Sequence, residues 1–392
     1  MKTISKKILL FECLIVTVLS MGWIYKSNPN SSYESKIYSS PKDTSKQKQP
    51  QYEGDKPAEE VFKNIKVLKG MPAWQLQPTM HFIEASVGMN CGNCHVRDNE
   101  KGWEFDKDTK PEKRKAREMI KMMDAINTNS FKGHQEVTCF TCHHGNPDPE
   151  KIPNVTTVAL MQERQTEHQN EDKEIYVQNR LNTAEQIIDK YIQALGGKEA
   201  IGKITSLKLE GSSNNGKNEL ITYWKAPNFY YSEAKGMRGE FVSTFNGSSG
   251  WLKMGQYTRP AEGVDLQNLK LASLFFSPLD IEKYYSGLKL DDVQLIGSDT
   301  VYIVDGTISK YRSIKLYFNT NTGLLERQIV FDQTPLGSLQ VQTDFRNYQK
   351  VNGVLFPFET IESDFENVQD VKYRSIKANV HVEENLFETP AK

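Results

Sequence analysis

The sequence predicts a multidomain α+β protein: an N-terminal membrane segment, a small α-helical domain, and an antiparallel β half-barrel-like domain with a leading helix. Three observations carry this. Met1-Lys2-Thr3-Ile4-Ser5-Lys6-Lys7 is followed by an apolar run from Ile8 to Tyr25. Two C-x-x-C-H pentapeptides, Cys91-Gly92-Asn93-Cys94-His95 and Cys139-Phe140-Thr141-Cys142-His143, each follow a helical stretch that ends in a glycine. Beyond residue 182, segments that alternate apolar and polar residues are punctuated by turns such as Asn352-Gly353.

Residues 1–26 have the basic start and apolar core of a signal peptide or membrane anchor, which predicts an exported chain on the periplasmic side of the membrane. The run from Ile8 to Tyr25 is long enough to span, and Ser20-Met21-Gly22 offers a small-residue cleavage site; an uncleaved anchor is the favoured reading. Residues 27–57, rich in Ser, Lys, Pro, Gln and Asn, read as a disordered tether. As a coil it would let the rest of the chain roam about 30 Å. With 392 residues, 38% of them apolar, and a net charge of −1, there is room for two globular domains and no basic excess that would suit nucleic acid.

The pentapeptides define the first of those domains, residues 58–150. Two thiols three positions apart can each form a thioether to one vinyl group of a haem, and the adjoining histidine reaches the iron as proximal ligand. The pattern therefore predicts two covalently bound haem c groups, anchored by Cys91, Cys94, Cys139 and Cys142 and ligated by His95 and His143. A four-thiolate zinc site would have to bridge 44 residues between Cys94 and Cys139 and would leave both histidines unexplained. A thioredoxin-like pair or structural disulfides would not need the histidines either.

Helices are expected from about Pro72 to Val87, capped by Gly88, and from about Pro111 to Asn129, with Gly133 beyond the end. A methionine on such a helix can reach the iron from the side opposite the histidine, raising its potential and closing the sixth position. Of eleven methionines most should be core or loop residues. Met80, eleven residues before Cys91, is the candidate for the first haem; for the second, Met119, Met122 and Met123 compete on one helix, with His134 and His144 as rivals. Trp74, Phe82 and Trp103 are expected to bury the haems, and Lys113, Arg114, Lys115, Arg117 and Lys121 form a basic stripe that could face an acidic partner.

Residues 151–181 read as a linker, and 182–392 as the β-rich half-barrel-like domain. It opens with an amphipathic helix, Ala184 to Leu195, closed by Gly196-Gly197. Strands are expected at 220–224, 301–305, 313–318, 326–331, 339–348 and 354–360, with hairpin turns at Asn319-Thr320-Asn321-Thr322-Gly323 and Asn352-Gly353.

Several segments resemble the photosynthetic reaction-centre cytochrome c subunit family: Asn64 to Pro72, Pro78-Thr79-Met80, Ser86 to Cys91, Ala116 to Ile120, Asp124 to Asn127 and Val137 to His143. The resemblance covers about residues 58–147. It implies a helix carrying an axial methionine, a turn and then C-x-x-C-H in each unit, with Met80 for the first iron and Met119 for the second. One haem of the family takes a histidine from a loop, and His134 sits in a comparable loop. The family typically carries four haems in two tandem pairs; this chain has one pair and then an unrelated domain. In the C-terminal part Lys225 to Tyr230, Phe245 to Trp251 and Asn352 to Pro357 resemble lipoprotein-carrier half-barrels of the LolA and LolB type.

Three function classes follow. The first is a non-enzymatic electron carrier whose redox partners are membrane-bound proteins, similar to the reaction-centre subunit that re-reduces a photo-oxidised donor. The second is a redox-linked binding or sensing protein whose β domain holds an apolar ligand or lipid. The third is a dihaem peroxidase, which needs one iron with an open distal side. Methionines upstream of both motifs favour the first.

Overall fold

The computed structural model describes residues 56–98, 100, 102–152, 180–237, 239–274 and 278–388. The N-terminal segment, the tether and most of the linker lie outside these residues. Among the described residues no helix is long and apolar enough to cross a membrane.

The N-terminal domain contains α1 (Ala58–Val61), α2 (Leu76–Val87), α3 (Cys91–Cys94), α4 (Pro111–Phe131) and α5 (Cys139–His143), with a two-stranded hairpin of β1 (Val96–Asp98) and β2 (Gly102–Glu104) after α3. A 3-10 turn over Ala73–Gln75 leads into α2, so the helix proper begins four residues later than the proline pattern suggests. It ends as expected: Gly88 takes φ +63°, a left-handed conformation that costs glycine little, and its N–H caps the Glu84 carbonyl. Proline opens α4, whose buried face presents Ile120, Met123 and Asn127 at helical spacing. Asn127 does more than fill space. Its Nδ2 donates to the Val137 carbonyl at 2.7 Å while its Oδ1 accepts from the Val137 N–H at 2.9 Å, pinning the loop that leads to the second motif.

The C-terminal domain begins with α6 (Ala184–Leu195) and α7 (Gly197–Gly202). One run of strands follows: β3 (Ser206–Ser213), β4 (Asn218–Lys225), β5 (Phe229–Gly236), β6 (Gly239–Asn246), β7 (Gly250–Met254) and β8 (Tyr257–Ala261). After α8 (Gly263–Leu274) and α9 (Ile281–Tyr284) comes a second run: β9 (Ser286–Ile296), β10 (Asp299–Ser309), β11 (Arg312–Asn319), β12 (Leu325–Thr334), β13 (Gly337–Val351), β14 (Val354–Ser363) and β15 (Val368–Ala378). Both runs are antiparallel meanders, and the pairing of β15 with β3 joins them into one 13-stranded sheet with β8 and β9 at its edges. A sheet this wide curls. Its inner face, including Leu207, Trp224, Phe245, Leu316 and Phe318, closes on the apolar stripe Ile187, Ile188, Tyr191, Ile192 and Leu195 of α6, giving a half-barrel-like domain.

The two domains pack directly. Gln75 Nε2 donates to the Gln333 carbonyl at 3.1 Å, Trp74 meets Tyr311 edge-on with ring centroids 5.5 Å apart, and His81 lies 5.3 Å from Phe365. The Phe82 ring covers Gly337 so closely that a Cβ there would lie 2.2 Å from it. Trp74 and Phe82 are thus engaged at the domain interface, where the β hairpins offer apolar surface.

Behind Tyr311 lies a buried ion pair. Arg312 Nε is 2.5 Å from Asp332 Oδ1, and Arg312 Nη2 donates to Asn268 Oδ1 at 2.9 Å; the two charged residues are 3% and 8% exposed. Burial raises the Asp332 pKa, and the guanidinium works against that rise. Removing one partner strands the other charge, so Asp332→Ala should lower stability by about 3–5 kcal/mol in denaturant unfolding. Replacing both residues, Arg312→Met with Asp332→Leu, should recover most of that loss.

Candidate haem-attachment site

Each C-x-x-C-H folds as a single helical turn, and each turn is built the same way. Asn90 precedes Cys91 as helix N-cap, and its N–H donates to Asn93 Oδ1 at 3.0 Å while its side chain accepts from the Asn93 backbone, a capping box. Thr138 and Thr141 repeat it: the Thr138 N–H donates to Thr141 Oγ1 at 3.0 Å and Thr138 Oγ1 accepts from the Thr141 N–H. In both motifs a short polar residue stands immediately before each cysteine, as N-C-G-N-C-H and T-C-F-T-C-H. That signal was available in the sequence, and motif reasoning alone passed over it. The box closes the turn and places both thiols, at i and i+3, on one side of it.

The histidines are oriented by backbone. His95 Nδ1 lies 3.2 Å from the Phe105 carbonyl, and His143 Nδ1 lies 2.8 Å from the Asn146 carbonyl. A carbonyl can only accept, so Nδ1 carries the proton and Nε2 keeps its lone pair for a metal. The β1–β2 hairpin after the first motif brings Phe105 back, its ring 5.1 Å from the imidazole and 5.5 Å from the stacked Trp103. Burial, then the Lys113 ammonium, lowers the His95 pKa, which favours the neutral ring.

Burial pushes the pKa of the Cys94 and Cys139 thiols up. A redox-active C-x-x-C needs the reverse, a thiolate favoured at neutral pH. The two pairs do not converge either: among the described residues no group of three or more His, Cys, Asp or Glu could share an ion. Paired thiols on one turn beside an imidazole with a free Nε2 fit haem c and fit neither zinc nor dithiol chemistry.

The motifs are interlocked. The helix that carries Met80, α2, packs against the second motif, and α3, the first motif, packs against α4. At the α2 end the Gly145 N–H donates to the Ser86 carbonyl at 2.9 Å, and a Cβ on Gly88 would fall 2.1 Å from the Gly145 oxygen. Met80 and Met119 are half-buried, Met123 is 7% exposed in the core, and Met122 is 48% exposed. His134 is exposed in its loop, and exposed His144 lies against Phe140 with ring centroids 5.4 Å apart.

The basic stripe of α4 is largely turned to internal use. Asp108 gathers Lys66 Nζ at 2.6 Å, Arg117 Nη1 at 2.8 Å, Asn64 Nδ2 at 2.8 Å and Lys113 Nζ at 3.4 Å. Lys66 first, then Arg117 and Asn64, hold its carboxyl well below the usual range. Lys113 and Arg114 also donate to the loop carbonyls of Phe105 and Asp108. The stripe's cations fasten the loop that orients His95.

These turns define a c-type cytochrome domain. Residues 20–223, just over half of the chain, match the family described as photosynthetic reaction centre cytochrome C subunit, and the chain belongs to that family. It is 32% identical over 99 residues to the photosynthetic reaction center cytochrome c subunit of Rubrivivax gelatinosus, covering 24% of this chain and 25% of that protein. To the same subunit of Thermochromatium tepidum it is 35% identical over 98 residues, covering 24% and 23%. The chain spans about a quarter of the length of these curated relatives. Among solved structures, a LolA superfamily protein from Nitrosomonas europaea is 14% identical with a TM-score of 0.37, over 53% of this chain and 99% of that one. An outer membrane lipoprotein-sorting protein domain from Vibrio parahaemolyticus is 10% identical with a TM-score of 0.36, over 52% and 97%. Membership of the family brings covalently bound haem c.

Glu84, on α2, ties the first motif to the C-terminal domain. Its Oε2 is 3.9 Å from Cys91 Sγ, and burial, with Glu366 of the β14–β15 turn, raises its pKa to about 7. Its unfolded value is near 4.5, so the folded state binds the extra proton between those values. The stability it contributes is complete below about 4.5 and lost as pH rises through about 7. The urea midpoint should therefore fall from pH 5 to pH 8, and Glu84→Gln should flatten that fall.

Proposed function

We propose that the chain is an exported dihaem c-type cytochrome that passes single electrons at or near the membrane, between redox partner proteins, and is not an enzyme. The observation that carries this is the pair of Nδ1 hydrogen bonds, which leave Nε2 of His95 and of His143 available beside two thiols each. Cys91 and Cys94 would hold one haem and Cys139 and Cys142 the other, with His95 and His143 as proximal ligands. Haem bound in this way supplies a one-electron couple whose potential depends on its axial ligands and burial. The work of the chain is to hold those ligands and restrict water.

Met80 is assigned to the first iron and Met119 to the second. Both are half-buried on helices that flank the motifs, whereas Met123 is committed to the core and Met122 points largely to solvent. His134, exposed in its loop, remains the alternative ligand for the second iron. Two six-coordinate irons would favour electron transfer over peroxidase chemistry, which needs an open distal side.

The binding or sensing alternative draws on one feature of the β domain. A groove of about 250 Å³ runs beside α6 between Ile188, Ile192, Pro278, Leu279 and Ile281. Ligand pockets usually measure about 300–1,000 Å³. The neighbouring apolar cavity under Tyr191 and Phe356, at about 20 Å³, has room for little more than a water molecule. Membership of the cytochrome family and the methionines upstream of both motifs make an electron carrier the first reading.

Met80→Ala should abolish one ferric methionine-to-iron charge-transfer band and lower one midpoint potential, with haem content staying at two per chain by pyridine haemochrome. A variant whose band and potentials match the parent would remove Met80 from the iron.

A further inference from the structure

The turn that joins β12 to β13 leaves the sheet and enters the N-terminal domain. Thr334 shapes it: its Oγ1 donates to the Gly337 carbonyl at 2.7 Å and accepts from the Leu336 and Gly337 N–H groups at 3.2 Å. The backbone is clamped on both sides by amides of the other domain. Gln75 Nε2 holds the Gln333 carbonyl at 3.1 Å, and Gln135 Nε2 holds the Pro335 carbonyl at 2.7 Å.

Between the clamps sits Leu336, 1% exposed. It forms a buried cluster with Phe82 of α2 and Ile120 and Met123 of α4, and Cys139, at the start of α5, packs at the rim. Leu336 thus fills the junction of three elements: the helix bearing Met80, the helix bearing Met119 and the turn bearing the second thiol pair. Of the four buried residues in this cluster, one comes from the other domain. Gly337 lets the turn come this close, since a Cβ at its φ of +152° would strike the Phe82 ring.

We propose that Leu336 is a positioning residue for the haem pair: the C-terminal domain completes the core of the cytochrome domain, sets the spacing of α2, α4 and α5, and thereby tunes the haem potentials. This rests on the electron-carrier reading. A core side chain inserted from a neighbouring domain keeps water from the space behind the ligand helices, and burial is one of the levers on a haem's potential.

The test is a redox titration of the full chain with Leu336→Ala and with Leu336→Met, scored at equal haem content. Leu336→Ala should move at least one midpoint potential downward, and Leu336→Met, which keeps the volume, should restore it. A loss of thermal stability alone would not count, since any core truncation produces one. Should Leu336→Ala fail to accumulate, Gln135→Ala decides: it removes the clamp on Pro335 from an exposed position and should shift a potential in the same direction by less. Unmoved potentials in a fully loaded variant overturn the positioning role and leave the electron-carrier reading intact. High-spin haems in the parent chain would overturn that reading instead, and a Leu336→Ala shift in their potentials would still support the positioning role.

Discussion

The N-terminal domain depends on the placement of one helix. Along α2 and the 3-10 turn that leads into it, Trp74, Gln75, His81 and Phe82 meet the β domain, Met80 is the proposed iron ligand, and Ser86 and Gly88 seat the turn after the second motif. These duties are compatible because a helix presents different faces at different positions along 12 residues. Gly88 is the point of least tolerance, since its positive φ ends the helix while its missing Cβ admits the Gly145 carbonyl. Any shift of α2 is felt at both motifs and at the domain boundary together.

A second layer of order is local. Each motif is closed by its own capping box and each imidazole is oriented by its own carbonyl, so the turns are shaped by contacts near in sequence. The two carbonyls come from different devices. Asn146 follows His143 by three residues in the same turn, whereas Phe105 is returned by the β1–β2 hairpin and held there by Lys113. The first site therefore depends on a longer stretch of chain, and Asp108 exists at the centre of four cationic or amide donors to stabilise that stretch.

Much of this was legible in the sequence wherever the chemistry is local. The stop at Gly88 and the helix from Ala184 to Leu195 reappear as read, whereas β11 keeps no wet face, since Tyr317 and Asn319 are buried along with Leu316 and Phe318. What was not legible depends on residues far apart in the chain. Nothing near Trp74 and Phe82 in the chain announces their contacts with Tyr311 and Gly337, more than 200 positions away. Strands such as β5, β6 and β15 lack clean alternation because polar residues such as Thr244 and Gln369 are buried in them, so the closure of the sheet through β3 and β15 could not be read from periodicity. The basic stripe carries no mark of whether its partner is another protein or the nearby Asp108.

A cytochrome that only exchanges electrons needs both irons closed by side chains of its own domain. The most direct measurement is a dithionite titration of the purified chain followed by optical and electron paramagnetic resonance spectra, with and without carbon monoxide. Two low-spin haems per chain that ignore carbon monoxide are the predicted result. A high-spin haem that binds it would contradict the account and bring catalysis or sensing forward in place of electron transfer.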